Sequence, residues 1–294
     1  MLNILISDPI DEQAVRELKK FFNVLRKGEE AKADIVIVRS RTVIDRAYVN
    51  KAKNLKIIIR AGVGLDNIRD IEYCRKKGIK IEHTPEASSV AVAELTLGHM
   101  IAIARTIPVT AEGRRKCKWP REDLVGFELC GKTLGIIGLG RIGKEVAKRA
   151  ESFGMIILAC DPYITNSKHK MVKLQNLLKQ SDIISLHVPL NEKTRCLLDK
   201  KEFRMIKKGA VIINTSRGDV INEDELIRNL KSGKISFAGL DVYSERLIKN
   251  SSLKKMDNVI LTPHIGAQTI EAKERIGKAI VEKVKNFQKE FERK

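Results

Sequence analysis

With 294 residues, 43% hydrophobic and 32% charged, the chain can form one large or two ordinary domains with sizeable cores, and its balance excludes a disordered protein. No run reaches the roughly 18 uninterrupted apolar residues of a membrane helix, and the apolar start at residues 2–6, broken by Asn3 with no basic segment before it, does not read as a signal peptide. The net charge of +19 is spread beside acids, as in Lys144-Glu145 and Lys273-Glu274-Arg275, without interleaved aromatics, and so reads as a solvated surface rather than a nucleic-acid site.

Short β-branched runs alternate with segments of helical period. Strands are expected at residues 4–6, 35–38, 56–59 and 79–81. An amphipathic helix lies between the first two, with Val15, Leu18 and Phe22 on one face. A long helical pattern then runs from about residue 89 to 117. A second series of strands follows at 134–137, 156–159, 183–187, 211–214, 238–240 and 259–261, and a last helix starts near Gln268. Such alternation predicts parallel sheets covered by helices on both faces. So many units exceed one ordinary open sheet, so two α/β domains are expected. The simplest division is a cofactor domain at 99–267 inserted into a first domain of 1–98 plus 268–294, with a small ligand in the cleft between them. The five cysteines (Cys74, Cys117, Cys130, Cys160, Cys196) are scattered, odd in number and without a C-x-x-C pair. They read as reduced thiols of a cytoplasmic protein, with neither a metal site nor a disulfide framework.

The segment from Thr133 to Ala150 holds a strand, then Gly138-x-Gly140-x-x-Gly143, then a helix carrying Val146 and Ala150. Gly138 permits the tight turn, Gly140 lets backbone approach a pyrophosphate, and Gly143 lets helix pack on strand. The pyrophosphate would lie on N–H groups at the helix start, where the dipole favours anions. A second strand ends in Asp161, placed to accept hydrogen bonds from the adenosine ribose hydroxyls. Asp161 would repel a 2′-phosphate and no arginine follows it directly, so NAD is expected over NADP.

Three more segments end predicted strands, where open α/β sheets place their sites: Asn214-Thr-Ser-Arg217-Gly218, Gly239-Leu-Asp241-Val-Tyr243 and Thr262-Pro-His264-Ile-Gly266-Ala267. With the glycine turn, they resemble the D-isomer-specific 2-hydroxyacid dehydrogenases. The resemblance spans essentially the whole chain, including Arg60-Ala-Gly-Val-Gly-Leu-Asp66-Asn67, Ser89-Val-Ala-Val-Ala-Glu94-Leu95, Gly131-Lys-Thr-Leu-Gly135, His187-Val-Pro189-Leu190 and Asn222-Glu-Asp-Glu-Leu226. It implies a flavodoxin-like substrate domain, a Rossmann domain for NAD, and a homodimer that exchanges arms around residues 104–127. Within the family it is strongest to members that oxidise D-3-phosphoglycerate to 3-phosphohydroxypyruvate, opening the phosphorylated route to serine, in a form without their C-terminal regulatory domain. One alternative is a reductase of glyoxylate, hydroxypyruvate or another 2-keto acid, with the same catalytic residues. Another is an NAD-sensing corepressor, against which Arg217 and His264 speak.

The resemblance assigns roles residue by residue. His264 takes the hydroxyl proton as hydride leaves, a task suited to a pKa near working pH. Arg217 binds the substrate carboxylate through paired hydrogen bonds and polarises the carbonyl in reverse. Further cofactor contacts are Thr84, Arg141, Ile142, His187, Val188, Pro189, Thr215, Asp241, His264, Gly266 and Ala267. Substrate contacts are Arg60, Val63 and Gly64. Arg114, Arg115 and Lys116, before Lys118-Trp119, resemble a basic stretch that meets substrate phosphate; as a basic helix end they would only complement the dipole. His83, His99, His169 and His187 read as structural from their own context, and only the resemblance places His187 near the cofactor. The sequence departs from the family at the carboxylate that partners the histidine. Arg246 stands at its position, Glu245 one residue early, and Leu247 where proline is usual. A one-residue deletion returns Glu245 to the role; without it, Glu245 is a solvated loop acid.

Overall fold

The computed structural model describes residues 1–108, 125–164, 166–244 and 252–293. The chain forms two compact units, Met1–Ser89 with Ala267–Lys294, and Val90–Gly266.

The first unit holds β1 (Asn3–Ile6), β2 (Asn23–Leu25), β3 (Ile35–Val38), β4 (Ile57–Arg60) and β5 (Lys80–His83), all parallel in the order β2-β1-β3-β4-β5. This is the flavodoxin-like order, whose direction of winding switches between β1 and β3. β3 and β4 are buried along their whole length, as parallel strands covered on both faces are. Ile35, Ile37, Ile57 and Ile59 face a core shared with α1 (Glu12–Phe21) and the C-terminal helix, Ile270–Glu292. Val36, Val38 and Ile58 face the core under α2 (Arg46–Lys51) and α3 (Ile71–Lys76). The C-terminal helix starts where the Thr269 hydroxyl accepts from the Ala272 amide, and it buries Ala272, Ile276, Ile280, Val284 and Phe287 at helical spacing.

The second unit holds β6 (Thr133–Ile137), β7 (Ile156–Cys160), β8 (Lys170–Met171), β9 (Ile183–Leu186), β10 (Ala210–Asn214), β11 (Ile235–Leu240) and β12 (Val259–Leu261). These are also parallel, in the order β12-β11-β10-β9-β6-β7-β8. The chain winds outward from β6 through β7 and β8, then crosses to β9, so the switch point lies beside β6. One face is covered by α4 (Ser89–Ala104) and α5 (Arg141–Ser152), the other by α6 (Leu174–Gln180), α7 (Lys200–Met205) and α8 (Glu223–Lys231). Numbering the C-terminal helix as α9 completes the helices used below. No described helix is long and apolar enough to cross a membrane.

The two doubly wound parallel sheets expected from sequence are present, and each predicted strand overlaps an observed one. Two edge strands, β2 (Asn-Val-Leu) and β8 (Lys-Met), escaped because they carry only two and one apolar residues. The helix expected over 89–117 stops at Ala104, where the carbonyl accepts the Phe127 amide and Thr106 adopts φ 51°. A carbonyl so engaged and a left-handed residue two positions on end the helical ladder.

Candidate active site

The turn from β6 into α5 is shaped by three glycines with different needs. Gly138 has φ +92°, and a Cβ there would sit 2.6 Å from the His187 carbonyl oxygen. At Gly143 a Cβ would sit 2.1 Å from the Gly138 oxygen, so turn and helix are in backbone contact. At Gly140 a Cβ would meet nothing within 4 Å, and this residue caps α5 without a side-chain hydrogen bond. The helix therefore presents first-turn amides and the positive end of its dipole beside an open glycine face, a fit for a pyrophosphate. Arg141 is exposed on that first turn, while Ile142 packs partly against the core.

Asp161 follows β7. Its Oδ2 accepts from the Leu139 amide at 2.9 Å, and its Oδ1 from the Tyr163 amide at 2.9 Å. The carboxylate is thus fixed against the glycine turn with lone pairs left for hydroxyl donors. His187 follows β9, donates its backbone N–H to Ile137 and pairs Nε2 with the Ser185 hydroxyl at 2.8 Å. Burial lowers its imidazole pKa to about 3, so the ring is neutral at physiological pH. Val188 packs partly against the core under α6 to α8, and Pro189 is exposed.

The same sheet edge continues across β10, β11 and β12. After β10, the buried Asn214 side chain folds a tight turn. Its Oδ1 accepts from the Ser216 amide and hydroxyl, and its Nδ2 donates to the Arg217 carbonyl. Arg217 Nη1 donates to the Ser216 carbonyl at 2.6 Å. Thr215 is buried, its hydroxyl 3.0 Å from that of Thr96 in α4. After β11, Asp241 is only 1% exposed. Its carboxylate accepts from the Thr262 hydroxyl at 2.6 Å, the Ile265 amide at 2.8 Å and the buried Gly266 amide at 2.8 Å. Between these anchors, exposed His264 sits at φ +54°, in the left-handed region that costs a non-glycine residue about 1–3 kcal/mol. Its backbone N–H donates to the Asp241 and Thr262 carbonyls, both at 3.0 Å. Asp241, expected from sequence as a cofactor contact, thus also holds the histidine loop. Ala267 begins the return into the first unit.

In the first unit, Arg60 ends β4 and is 8% exposed. Its guanidinium folds over Gly62 (φ +141°), where a Cβ would lie 1.7 Å from Nη1. The positive φ at Gly62, which L side chains rarely adopt, favours glycine there. Val63 is exposed, Gly64 half-buried, and Thr84 is buried with its amide donating to the Gly62 carbonyl. Sequence reasoning missed Arg39 and Arg41, which follow β3; Val38 is in register with Arg60. Arg60 was assigned through the family resemblance, which gave no role to Arg39 or Arg41. Asp8, 4% exposed, accepts from the Arg39 amide at 2.6 Å, the Thr42 amide at 3.2 Å and the Thr42 hydroxyl at 2.8 Å. Burial and nearby Arg41 lower the Arg39 guanidinium from its ordinary pKa, with Asp8 opposing.

The structure therefore gathers the predicted residues of the second unit along one sheet edge, and Arg60, Val63, Gly64 and Thr84 along that of the first. Glu245, Arg114, Arg115, Lys116, Lys118 and Trp119 lie outside the described residues.

The family model for the D-isomer specific 2-hydroxyacid dehydrogenase NAD binding domain matches residues 97–266. A D-3-phosphoglycerate dehydrogenase of Methanocaldococcus jannaschii is 44% identical over 97% of the chain and 57% of its own length. A hydroxypyruvate reductase of Thermotoga maritima is also 44% identical, over 95% of the chain and 96% of its own length. The chain thus spans little more than half of the first relative and nearly all of the second. Among solved structures, a D-lactate dehydrogenase from Aquifex aeolicus, complexed with NAD and lactic acid, superimposes with a TM-score of 0.86 at 31% identity, covering 98% of this chain and 95% of that one.

Proposed function

The chain belongs to the D-isomer specific 2-hydroxyacid dehydrogenase family, and from that premise we propose that it oxidises D-3-phosphoglycerate to 3-phosphohydroxypyruvate with NAD. The observation that carries the substrate is the cationic edge of the first unit. Arg39, Arg41 and Arg60 stand at the ends of the neighbouring strands β3 and β4, more positive charge than a single carboxylate requires. A phosphate dianion returns to half-buried Arg39 the stabilisation that burial and Arg41 withdraw.

When bound, NAD supplies the hydride acceptor. In this reading the amides around Gly138, Gly140, Arg141, Ile142 and Gly143 hold its pyrophosphate, and Asp161 holds the adenosine ribose. His187, Val188 and Pro189 cover the adenosine side. Thr84, Thr215, Asp241, Gly266 and Ala267 supply further contacts. Arg217 orients the substrate carboxylate through paired hydrogen bonds, and the His264 imidazole accepts the hydroxyl proton as hydride departs. Glu245 orients and stabilises the imidazolium so formed. Arg60 with the backbone of Val63 and Gly64 completes the substrate contacts. We assign the protein a cytoplasmic location and a homodimeric state, which light scattering tests.

A second reading, reduction of hydroxypyruvate, is favoured by the Thermotoga relative, of which the chain spans 96%. The test is NADH formation with D-3-phosphoglycerate, D-glycerate and D-lactate supplied separately. The proposal expects the phosphorylated acid to be turned over most efficiently. Faster turnover of D-glycerate would move the assignment to hydroxypyruvate, and no turnover of any acid would remove the enzymatic reading.

A further inference from the structure

One helix face touches both of the loops that carry Arg217 and His264. Val92, Thr96 and His99 recur on α4 at spacings of four and three, so they share a face. Thr96 Oγ1 donates to the Val92 carbonyl at 2.8 Å and lies 3.0 Å from Thr215 Oγ1. Its single proton is spent on that carbonyl, so Thr215 is the donor in the hydroxyl pair. Three residues on, His99 is 3% exposed, with Nε2 3.3 Å from Thr262 Oγ1. Thr262 spends its proton on the Asp241 carboxylate, so His99 must donate through Nε2–H. Burial holds the imidazole below its ordinary pKa, with Asp241 and the Gly239 backbone opposing. The ring lies flush on β11, where a Cβ at Gly239 would come within 2.9 Å of Nδ1. Val92 supports the loop's far end, 3.2 Å from where a Gly266 Cβ would lie.

We infer that Thr96 and His99 are positioning residues: through Thr215 and through Thr262–Asp241, one face of α4 sets the loops that present Arg217 and His264. The inference rests on the catalytic reading of those two residues. It deepens that reading by giving a function to a histidine whose sequence context reads as structural.

The test combines steady-state kinetics with NMR of the ligand-free protein. His99→Leu and Thr96→Val should each lower kcat for D-3-phosphoglycerate oxidation about tenfold, as small misplacements of reacting groups do. His99→Gln, which keeps a donor, should recover much of the loss. The ligand-free protein should show His99 as the Nε2–H tautomer, and His99→Leu should shift the His264 ring signals. Should His99→Leu fail to fold, Thr96→Val and His99→Gln carry the kinetic arm. Variants with wild-type kcat and unmoved His264 signals would overturn the inference. A wild-type enzyme inactive on every 2-hydroxy acid would remove the catalytic reading instead, leaving the NMR arm to decide whether α4 sets the loop.

Discussion

Asp8 in the first unit and Asp241 in the second perform the same task on different loops. Each follows a parallel strand, each is almost wholly buried, and each accepts two backbone amides and one threonine hydroxyl from the loop after a neighbouring strand. Asp8 fixes the loop that carries Arg39 and Arg41, and Asp241 fixes the loop that carries His264. A buried carboxylate with three donors is a strong anchor, because removing it leaves those donors without partners. What differs is the cargo. The first unit displays guanidinium charge, suited to holding an anion, and the second displays an imidazole in a strained backbone conformation, suited to proton transfer.

Breaking the anchors should expose that difference. Asp241→Asn sets an amide against loop N–H groups and releases His264, so kcat should fall on the order of a hundredfold for phosphorylated and unphosphorylated substrates alike, as steady-state rates would show. Asp8→Asn should raise KM for D-3-phosphoglycerate about tenfold while leaving D-glycerate turnover near wild type. An equal effect on both substrates would contradict the division of labour between the units. Asp161→Ser, which touches neither anchor, should narrow the preference for NAD over NADP about tenfold, read as the ratio of kcat/KM for the two cofactors.

The smallest effect belongs to His187, which supplies a baseline outside both loops. Its folded pKa of about 3 lies below an unfolded value of about 6.5. Its contribution to stability is therefore present above pH 6.5 and is lost as pH falls toward 3. Urea unfolding at several pH values should show that loss, and His187→Asn should flatten it.

The strands were legible because fully buried parallel strands are runs of isoleucine and valine, as in Ile35–Val38 and Ile183–Leu186. The glycine turn was legible because its glycines stand at a fixed short spacing between strand and helix, and Gly143 answers to the Gly138 backbone five residues away, although the His187 carbonyl that Gly138 faces is remote in sequence. Edge strands β2 and β8 carry too few apolar residues to announce themselves. The end of α4 depends on an amide 23 positions away, from Phe127 to Ala104, which no local pattern encodes. The anchoring by Asp8 and Asp241 was hidden for the same reason, since their partners lie 31 to 34 and 21 to 25 residues downstream. His99 read as structural because its partner Thr262 is 163 residues away.

The most direct measurement is the ratio of kcat/KM for D-3-phosphoglycerate over D-glycerate in the wild-type enzyme and in Arg39→Ala. Phosphate recognition by the first unit predicts a wild-type ratio of about ten or more that collapses toward one in the variant, with D-glycerate turnover unchanged. A wild-type ratio below one, or a ratio that Arg39→Ala leaves intact, would contradict it.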